Sequence, residues 1–394
     1  MEYKDFLGEK VSRLGFGAMR FPCLENGAID EVQVQKMIDY AMAHGVNYFD
    51  TAYPYHGGMS EIVLGKCLAK YPRESYFIAD KYPGHQITES YNMEEIFEEQ
   101  LKKCQVEYFD FYLLHNVYEN CIDVYTDENL GIVKYFVEQK KAGRIKHLGF
   151  STHGDLSTIQ KFLKPYEKDL EFAQIQLNYL DWSLQKGKEK YEFFDSKKIP
   201  LVIMEPLRGG KLCNLPAEDV EKLKKIRPEA TLAEMSFNYL MTLDNAKTVL
   251  SGMSNFEQVV QNVKTFEDAK ALNVEESKAL IQVAAEMKKS VPCTECRYCT
   301  SSCPMKLDIP GLIRLYNDYT FDGSFTVSMK IEALPENKKP ASCMHCRRCE
   351  MVCPQKINIS DVMTEFAKKY ETMPKWSQIC KERAEAAKRL REGK

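Results

Sequence analysis

No stretch of the 394-residue chain approaches the roughly 20 consecutive apolar residues that a membrane span requires. It also lacks a basic excess. Its 54 Lys and Arg stand against 57 Asp and Glu, a formal net charge of -3, so no general positive field would gather nucleic acid or anionic lipid. The first ten residues, MEYKDFLGEK, show no apolar run behind a charged start, and the expectation is a cytoplasmic protein with neither a membrane nor nucleic acid as partner. Glycines cluster at Gly15 to Gly17 and Arg208 to Gly210, yet neither cluster forms G-x-G-x-x-G between a strand and a helix. The signature of a Rossmann nucleotide fold is therefore missing.

Cysteine, by contrast, is abundant at fourteen residues. Without an export signal, a reducing compartment and metal ligation explain them better than disulfides. Cys293, Cys296, Cys299 and Cys303, followed by Pro304, form C-x2-C-x2-C-x3-C-P, and Cys343, Cys346, Cys349 and Cys353, followed by Pro354, repeat it. Three thiolates spaced by two residues wrap one face of a cubane, while the fourth points away to the other cluster. Cys293, Cys296, Cys299 and Cys353 are thus expected on one 4Fe-4S cluster, and Cys343, Cys346, Cys349 and Cys303 on a second. Structural zinc is the alternative, but a tetrahedral site has no use for a third cysteine and a trailing Cys-Pro in each set. The segments Cys303 to Ile313 and Cys353 to Met363 also match at a 50-residue offset, as a duplicated half-module would. The whole resembles bacterial-type ferredoxins. The gap of about 40 residues between motifs makes it similar to the α-helical dicluster ferredoxins found within larger redox enzymes. Cys23, Cys67, Cys104, Cys121, Cys213 and Cys380 show no ligand spacing and read as single thiols.

Upstream, short apolar runs alternate with helical patterns. The runs are Leu14 to Met19, Val46 to Asp50, Tyr76 to Lys81, Phe109 to His115, Ile145 to Ser151, Phe172 to Leu177, Leu201 to Met204 and Thr248 to Ser251. Eight such units in about 270 residues predict a (β/α)8 TIM barrel over residues 1–284. A smaller, mainly α-helical ferredoxin-like domain is expected over 285–375, and a charged helix over 376–394. The Lys, Arg and Glu of that last segment read as a solvated face.

Barrel catalysis sits where strands end. Asp50 ends the second run within NYFDTAYPYHGG, Lys81 the third within FIADKYP and His115 the fourth within FYLLHN, with Tyr55 five residues past Asp50. In these motifs residues 5–270 resemble the aldo/keto reductase family, whose D-T-A-x-x-Y, strand-end Lys and L-L-H occur in the same order. The resemblance implies that Tyr55 is the general acid for a carbonyl oxygen, with its pKa lowered towards working pH by Lys81. Asp50 would hold Lys81, His115 would orient the carbonyl and stabilise the developing oxyanion, and a nicotinamide would supply hydride.

The same resemblance implies nicotinamide contacts from Met19, Ser151, Gln174, Met204, Pro206, Leu207, Gly210, Gln258 and Asn262. Met204 falls where many family members place an aromatic against the nicotinamide ring. After the eighth strand, SGMSNFEQVVQN offers Gly252 and Gln258 where NADP-preferring members place cations. A neutral Gln cannot replace a charge-assisted contact to phosphate, so NAD, or a weakly discriminated NAD(P), is expected.

Three functions stay open at this point. The first is an oxidoreductase for a small carbonyl or alcohol substrate whose clusters link the site to a ferredoxin or another one-electron carrier. The second is a plain NAD(P)H-dependent carbonyl reductase with structural or redox-sensing clusters. The third is an electron-transfer subunit whose barrel is not catalytic. Aromatics at Tyr53, His56, Tyr82, Tyr118 and Trp182 are expected around the substrate and suggest an apolar or ring-bearing one.

Overall fold

The computed structural model describes residues 1–86, 92–287, 291, 293, 297–323, 325–353 and 355–391. Cys296 and Pro354 lie outside the described residues. The chain opens with a hairpin, β1 (Tyr3–Phe6) and β2 (Glu9–Ser12), that the sequence reading passed over. Eight strands follow: β3 (Leu14–Gly17), β4 (Tyr48–Asp50), β5 (Phe77–Tyr82), β6 (Phe109–Leu114), β7 (Ile145–Thr152), β8 (Phe172–Gln176), β9 (Leu201–Met204) and β10 (Ala246–Ser251). All pair in parallel and close into a barrel in chain order, with β10 meeting β3. This is the predicted (β/α)8 barrel.

The strands read as mainly apolar runs because helices cover one face and the barrel interior the other; every residue of β6, FDFYLL, is buried, Asp110 included. Close strand contact also requires Gly149, where a β-carbon would sit 2.5 Å from the Phe172 carbonyl oxygen. The hairpin plugs the end opposite the strand C-termini. Its Phe6 stacks on Phe111 with centroids 4.6 Å apart, and Val11 joins the same cluster. With that end filled by side chains, chemistry is left to the other rim.

The C-terminal region is helical, with helices Ile309–Asp322, Phe325–Glu332, Ile359–Thr372 and Trp376–Arg391. The sequence repeat is a backbone repeat as well. Left-handed residues recur fifty positions apart at Arg297 (φ 65°) and Arg347 (φ 56°), and at Lys306 and Lys356 (both φ 51°). Leu307, Leu312, Ile313, Ile357, Met363 and Phe366 form a core of their own. Among the described residues no helix is long and apolar enough to cross a membrane.

The two regions are not loosely tethered. Met329 (0% exposed), Trp376 (4%) and Ala387 (4%) belong to the barrel's apolar cluster. Burying a side chain such as Met329 stabilises the docking by about 1.5–3 kcal/mol. The terminal helix keeps the expected solvated face, with Lys381, Glu382, Glu385, Lys388 and Arg389 exposed, and also packs on the barrel. Its composition reflects an outward face of Lys, Arg and Glu, while Trp376, Ile379, Cys380 and Ala387 form an inward stripe at helical spacing.

Candidate functional site

Four side chains converge on the rim where the strands end. Asp50 closes β4, Lys81 lies near the end of β5, and His115 directly follows β6. Tyr55 opens the 3-10 turn Tyr55–Gly58, in which His56 and Gly57 take left-handed φ of 51° and 64°. That turn swings the phenol back over the rim. Lys81 Nζ donates to Asp50 Oδ1 at 2.6 Å and to the Thr51 carbonyl, hydrogen-bonds the Tyr55 side chain, and lies 4.9 Å from the Tyr55 ring centroid. The Tyr55 and His115 rings meet edge to face at 5.9 Å. His115 Nδ1 and Asp50 Oδ2 are buried without hydrogen-bond partners among the described residues.

Burial opposes the Lys81 ammonium, but Asp50 and Tyr55 outweigh it and its pKa is raised, so the lysine is a cation. Burial also raises Asp50, against the pull of Lys81. For Tyr55 the sequence expectation is corrected in direction. Lys81 does pull the phenol down, but burial, the larger effect, leaves its pKa raised from 10.0. The phenol therefore holds its proton at neutral pH. His115 is pushed well below 6.5 by burial first and then by His85, Lys81 and Arg383, so its imidazole is neutral.

The residues expected to contact a nicotinamide lie on and beyond the remaining rim. Ser151 and Gln174 are register partners across β7 and β8. Gln174 is 2% exposed, its Nε2 reaches Met204 Sδ at 3.7 Å, and its Oε1 is buried without a partner among the described residues. An orphaned carbonyl beside a partly exposed Met204 fits an amide-bearing ring. Pro206, Leu207 and Gly210 lie in the loop after β9, where Gly209 (φ 64°) and Gly210 (φ 90°) turn the backbone, and Met19 sits in the turn after β3. Asn262 is turned inward, donating to Ser251 Oγ at 3.0 Å. Gln258 is exposed and accepts from the Ser254 amide at 2.7 Å. Sequence reasoning missed Arg20. Its guanidinium lies 3.0 Å from where a β-carbon on Gly209 would sit, its stem covers Gly252, and Glu205 is 3.8 Å away. It puts a cation between two loops, and the signal was available, since Arg20 directly follows the apolar run Leu14 to Met19.

The described cluster cysteines sort into two cavities. One is lined by Cys293, Cys299 and Cys353, with Ile313, Ile357 and Ile359. The other is lined by Cys343, Cys346, Cys349 and Cys303, with Leu307 and Met363. In each, the last cysteine comes from the opposite motif. Thiols facing apolar walls fit an iron-sulfur cubane, whose sulfur ligands and inorganic sulfides need no water.

A model of the aldo/keto reductase family matches residues 13–284. The chain belongs to the aldo/keto reductase family. A model of a 4Fe-4S dicluster domain matches residues 292–358, so the reductase is an oxidoreductase that carries an iron-sulfur domain. It is 26% identical over 291 residues to a probable aldo-keto reductase of Glycine max, covering 65% of this chain and 81% of that one. It is 23% identical over 328 residues to the NADH-specific methylglyoxal reductase of Escherichia coli K12, covering 71% and 96%. Its fold resembles the holo form of an aldo-keto reductase from Bacillus halodurans (TM-score 0.59, 24% identity, 70% and 93% covered). It also resembles a Klebsiella pneumoniae aldo-keto reductase in complex with NADPH (TM-score 0.58, 18% identity, 72% and 96% covered).

In this reductase the C-terminal region covers the rim. Trp376 stacks on His85 at 6.0 Å, His85 meets His115 at 4.5 Å, and Asn116 donates to Met329 Sδ at 3.4 Å. Most of the aromatics expected around the substrate lie elsewhere. Tyr53 donates to Glu99 beneath Lys103, Tyr82 packs on Phe136, and Trp182 packs on Tyr191 and Tyr239. They are core residues, because closeness to a motif in sequence does not decide which face a side chain takes.

A buried latch joins the regions. Arg208, in the loop after β9, pairs with Asp181 of the barrel and Asp318 of the cluster region, and Gln185 donates to Asp318 at 3.0 Å. Asp318→Asn is expected to lower the unfolding free energy by about 1–3 kcal/mol, the usual cost of weakening a buried charged hydrogen bond. Denaturant midpoints would show this, and an unchanged midpoint would mean that Asp181 alone satisfies Arg208.

Proposed function

We propose that the chain interconverts a small carbonyl compound and its alcohol with a nicotinamide cofactor, and that two 4Fe-4S clusters connect the site to a one-electron carrier such as a ferredoxin. The observation that carries this reading is the convergence of Asp50, Tyr55, Lys81 and His115 on one rim, with a neutral phenol held by a buried cation. A non-catalytic scaffold has no use for that set.

The nicotinamide, when bound, supplies the hydride. Gln174 Oε1 would accept from its carboxamide with Ser151 as a neighbour, and Pro206, Leu207 and Gly210 would hold its phosphates together with Arg20. Tyr55 Oη gives its proton to the carbonyl oxygen, and Lys81 stabilises the phenolate left behind. His115 orients the carbonyl by a hydrogen bond from its neutral ring. Cys293, Cys296, Cys299 and Cys353 hold one cluster and Cys343, Cys346, Cys349 and Cys303 the other. The clusters, when present, supply single-electron transfer, whereas hydride carries two electrons.

The sharing of the barrel core by Met329, Trp376 and Ala387 favours a second reading, in which the clusters serve as staples for the covering region. An anaerobic stopped-flow titration with NADH and NADPH separates the two readings. Bleaching of cluster absorbance by reduced nicotinamide is expected. Nicotinamide oxidation that needs an added carbonyl and leaves the clusters unmoved would make them staples. Cys353→Ala is expected to lose the first cluster's iron, read by iron and sulfide analysis. Full retention would refute the crossed ligation.

A further inference from the structure

The terminal helix carries a cation to the covered rim that no carboxylate among the described residues satisfies. Arg383 is half-buried, and its guanidinium carbon lies 5.4 Å from the Trp376 ring centroid. Among the described residues it forms no ion pair. The acids near it in sequence are engaged elsewhere, Glu385 with Arg389 at 3.8 Å and Glu382 with Gln378 at 2.9 Å. A run of ring contacts ties this cation to the reacting groups: Trp376 to His85 at 6.0 Å, His85 to His115 at 4.5 Å, and His115 to Tyr55 at 5.9 Å. The same helix packs on the turn that carries Tyr55, where a β-carbon on Gly57 would touch the Ala386 methyl at 3.5 Å.

Charges around this point do not cancel. Asp50 and Lys81 neutralise each other. His85 is pushed down to about 3 by burial first and then by Arg383, and His115 is likewise neutral, which leaves Arg383 as the one uncompensated charge among these groups. Its field reaches Tyr55, His85 and His115 and pulls the pKa of each downward. A partly desolvated guanidinium without a partner is costly to keep unless a ligand pairs with it.

We propose that Arg383 binds the carboxylate of an oxo-acid substrate, so that the covered rim selects a carbonyl compound bearing one negative charge. The inference rests on the carbonyl-reductase reading above. The planar fork of Arg matches a carboxylate through two parallel hydrogen bonds, and a single cation balances a monoanion, whereas a dianionic phosphate calls for a second. Trp376, 4% exposed and stacked on His85 and Phe325, backs the guanidinium. In the reductive direction the oxo carbon takes a hydride from the reduced nicotinamide and the oxygen takes the Tyr55 proton. The products are a hydroxy acid and oxidised nicotinamide, with the carboxylate unchanged.

The test uses the reconstituted full-length holoprotein with phenylglyoxylate and its methyl ester, which share ring and ketone and differ in charge. Binding is read by calorimetry and reduction by nicotinamide absorbance. Wild type is expected to prefer the anion. Arg383→Gln is expected to weaken phenylglyoxylate binding and to lower the anion-to-ester ratio of kcat/KM by about tenfold to a hundredfold, the range of one charged hydrogen-bonded contact, and Arg383→Lys to recover part of it. Iron content and circular dichroism of each variant confirm that it is folded. Equal affinity of wild type and Arg383→Gln for phenylglyoxylate, no binding of the anion by wild type, or an ester reduced as well as the acid would each overturn the proposal. Arg383-dependent binding of the anion without reduction of either compound would leave the anion site standing and defeat the carbonyl-reductase reading instead.

Discussion

Replacing Tyr55 by phenylalanine is expected to lower kcat for carbonyl reduction by about two to four orders of magnitude, the usual contribution of a positioned general acid, while nicotinamide binding stays near the wild-type value. The ring is kept, and with it the Lys81 ammonium over its face at 4.9 Å and the His115 contact at 5.9 Å, so the loss reports the proton and not the packing. Steady-state kcat with a carbonyl substrate, beside a nicotinamide binding titration, separates the two. A loss below tenfold would assign the proton to another group. The pH profile carries a sign as well. Tyr55 is raised from 10.0, so its acid form persists through neutral pH and fails only on the far alkaline side. His115 is lowered from 6.5, so its neutral form persists into the acid range. Between those ordinary values kcat is expected to be flat, and a limb near pH 7 to 8 would contradict both assignments.

Lys81→Met is expected to destabilise the barrel by about 3–5 kcal/mol, the cost of stranding one member of a buried ion pair. Lys81 is 0% and Asp50 2% exposed, and Asp50 Oδ2 already lacks a partner among the described residues, so removing the ammonium leaves a carboxyl group with little to hold its charge. Activity falls in the same variant, because the phenolate loses its counter-charge. Adding Asp50→Asn is expected to restore a good part of the stability and none of the activity. Denaturant unfolding of the single and double variants measures the first and kcat the second. A double variant no more stable than Lys81→Met would show that packing, not charge, set the cost.

The barrel was legible because most of its strand residues are buried on both faces and so leave mainly apolar runs, as in FDFYLL of β6, where Asp110 is the one polar residue. The hairpin was not, since four-residue strands such as EKVS carry too short an alternation to stand out. Asp50, Lys81 and His115 were legible as strand-end polar groups and Tyr55 through the D-T-A-x-x-Y resemblance, and the structure brings all four together. Their electrostatics were not, because the balance between burial and Lys81 at Tyr55 depends on how deeply the phenol sits. Arg208 and Asp318 lie 110 positions apart, and nothing local marks them as partners. The inward stripe of the terminal helix was hidden for a related reason. An average over Lys381 to Lys394 begins after Trp376 and blends the inward Ala387 into a charged background.

The covering of the rim has a consequence for how the molecule is made. Every member of the set Asp50, Tyr55, Lys81 and His115 leaves the ribosome before Met329 and Trp376 to Ala387. Domains fold as units from the N-terminal end during synthesis, so the barrel can close with its reacting groups in place while its mouth still stands open to water. Only when the C-terminal region has folded onto it do Trp376 and Ala386 cover His85 and the turn that carries Tyr55. Assembly of the iron-sulfur region is then a late step of maturation, and a barrel without it is a finished hinge with no door.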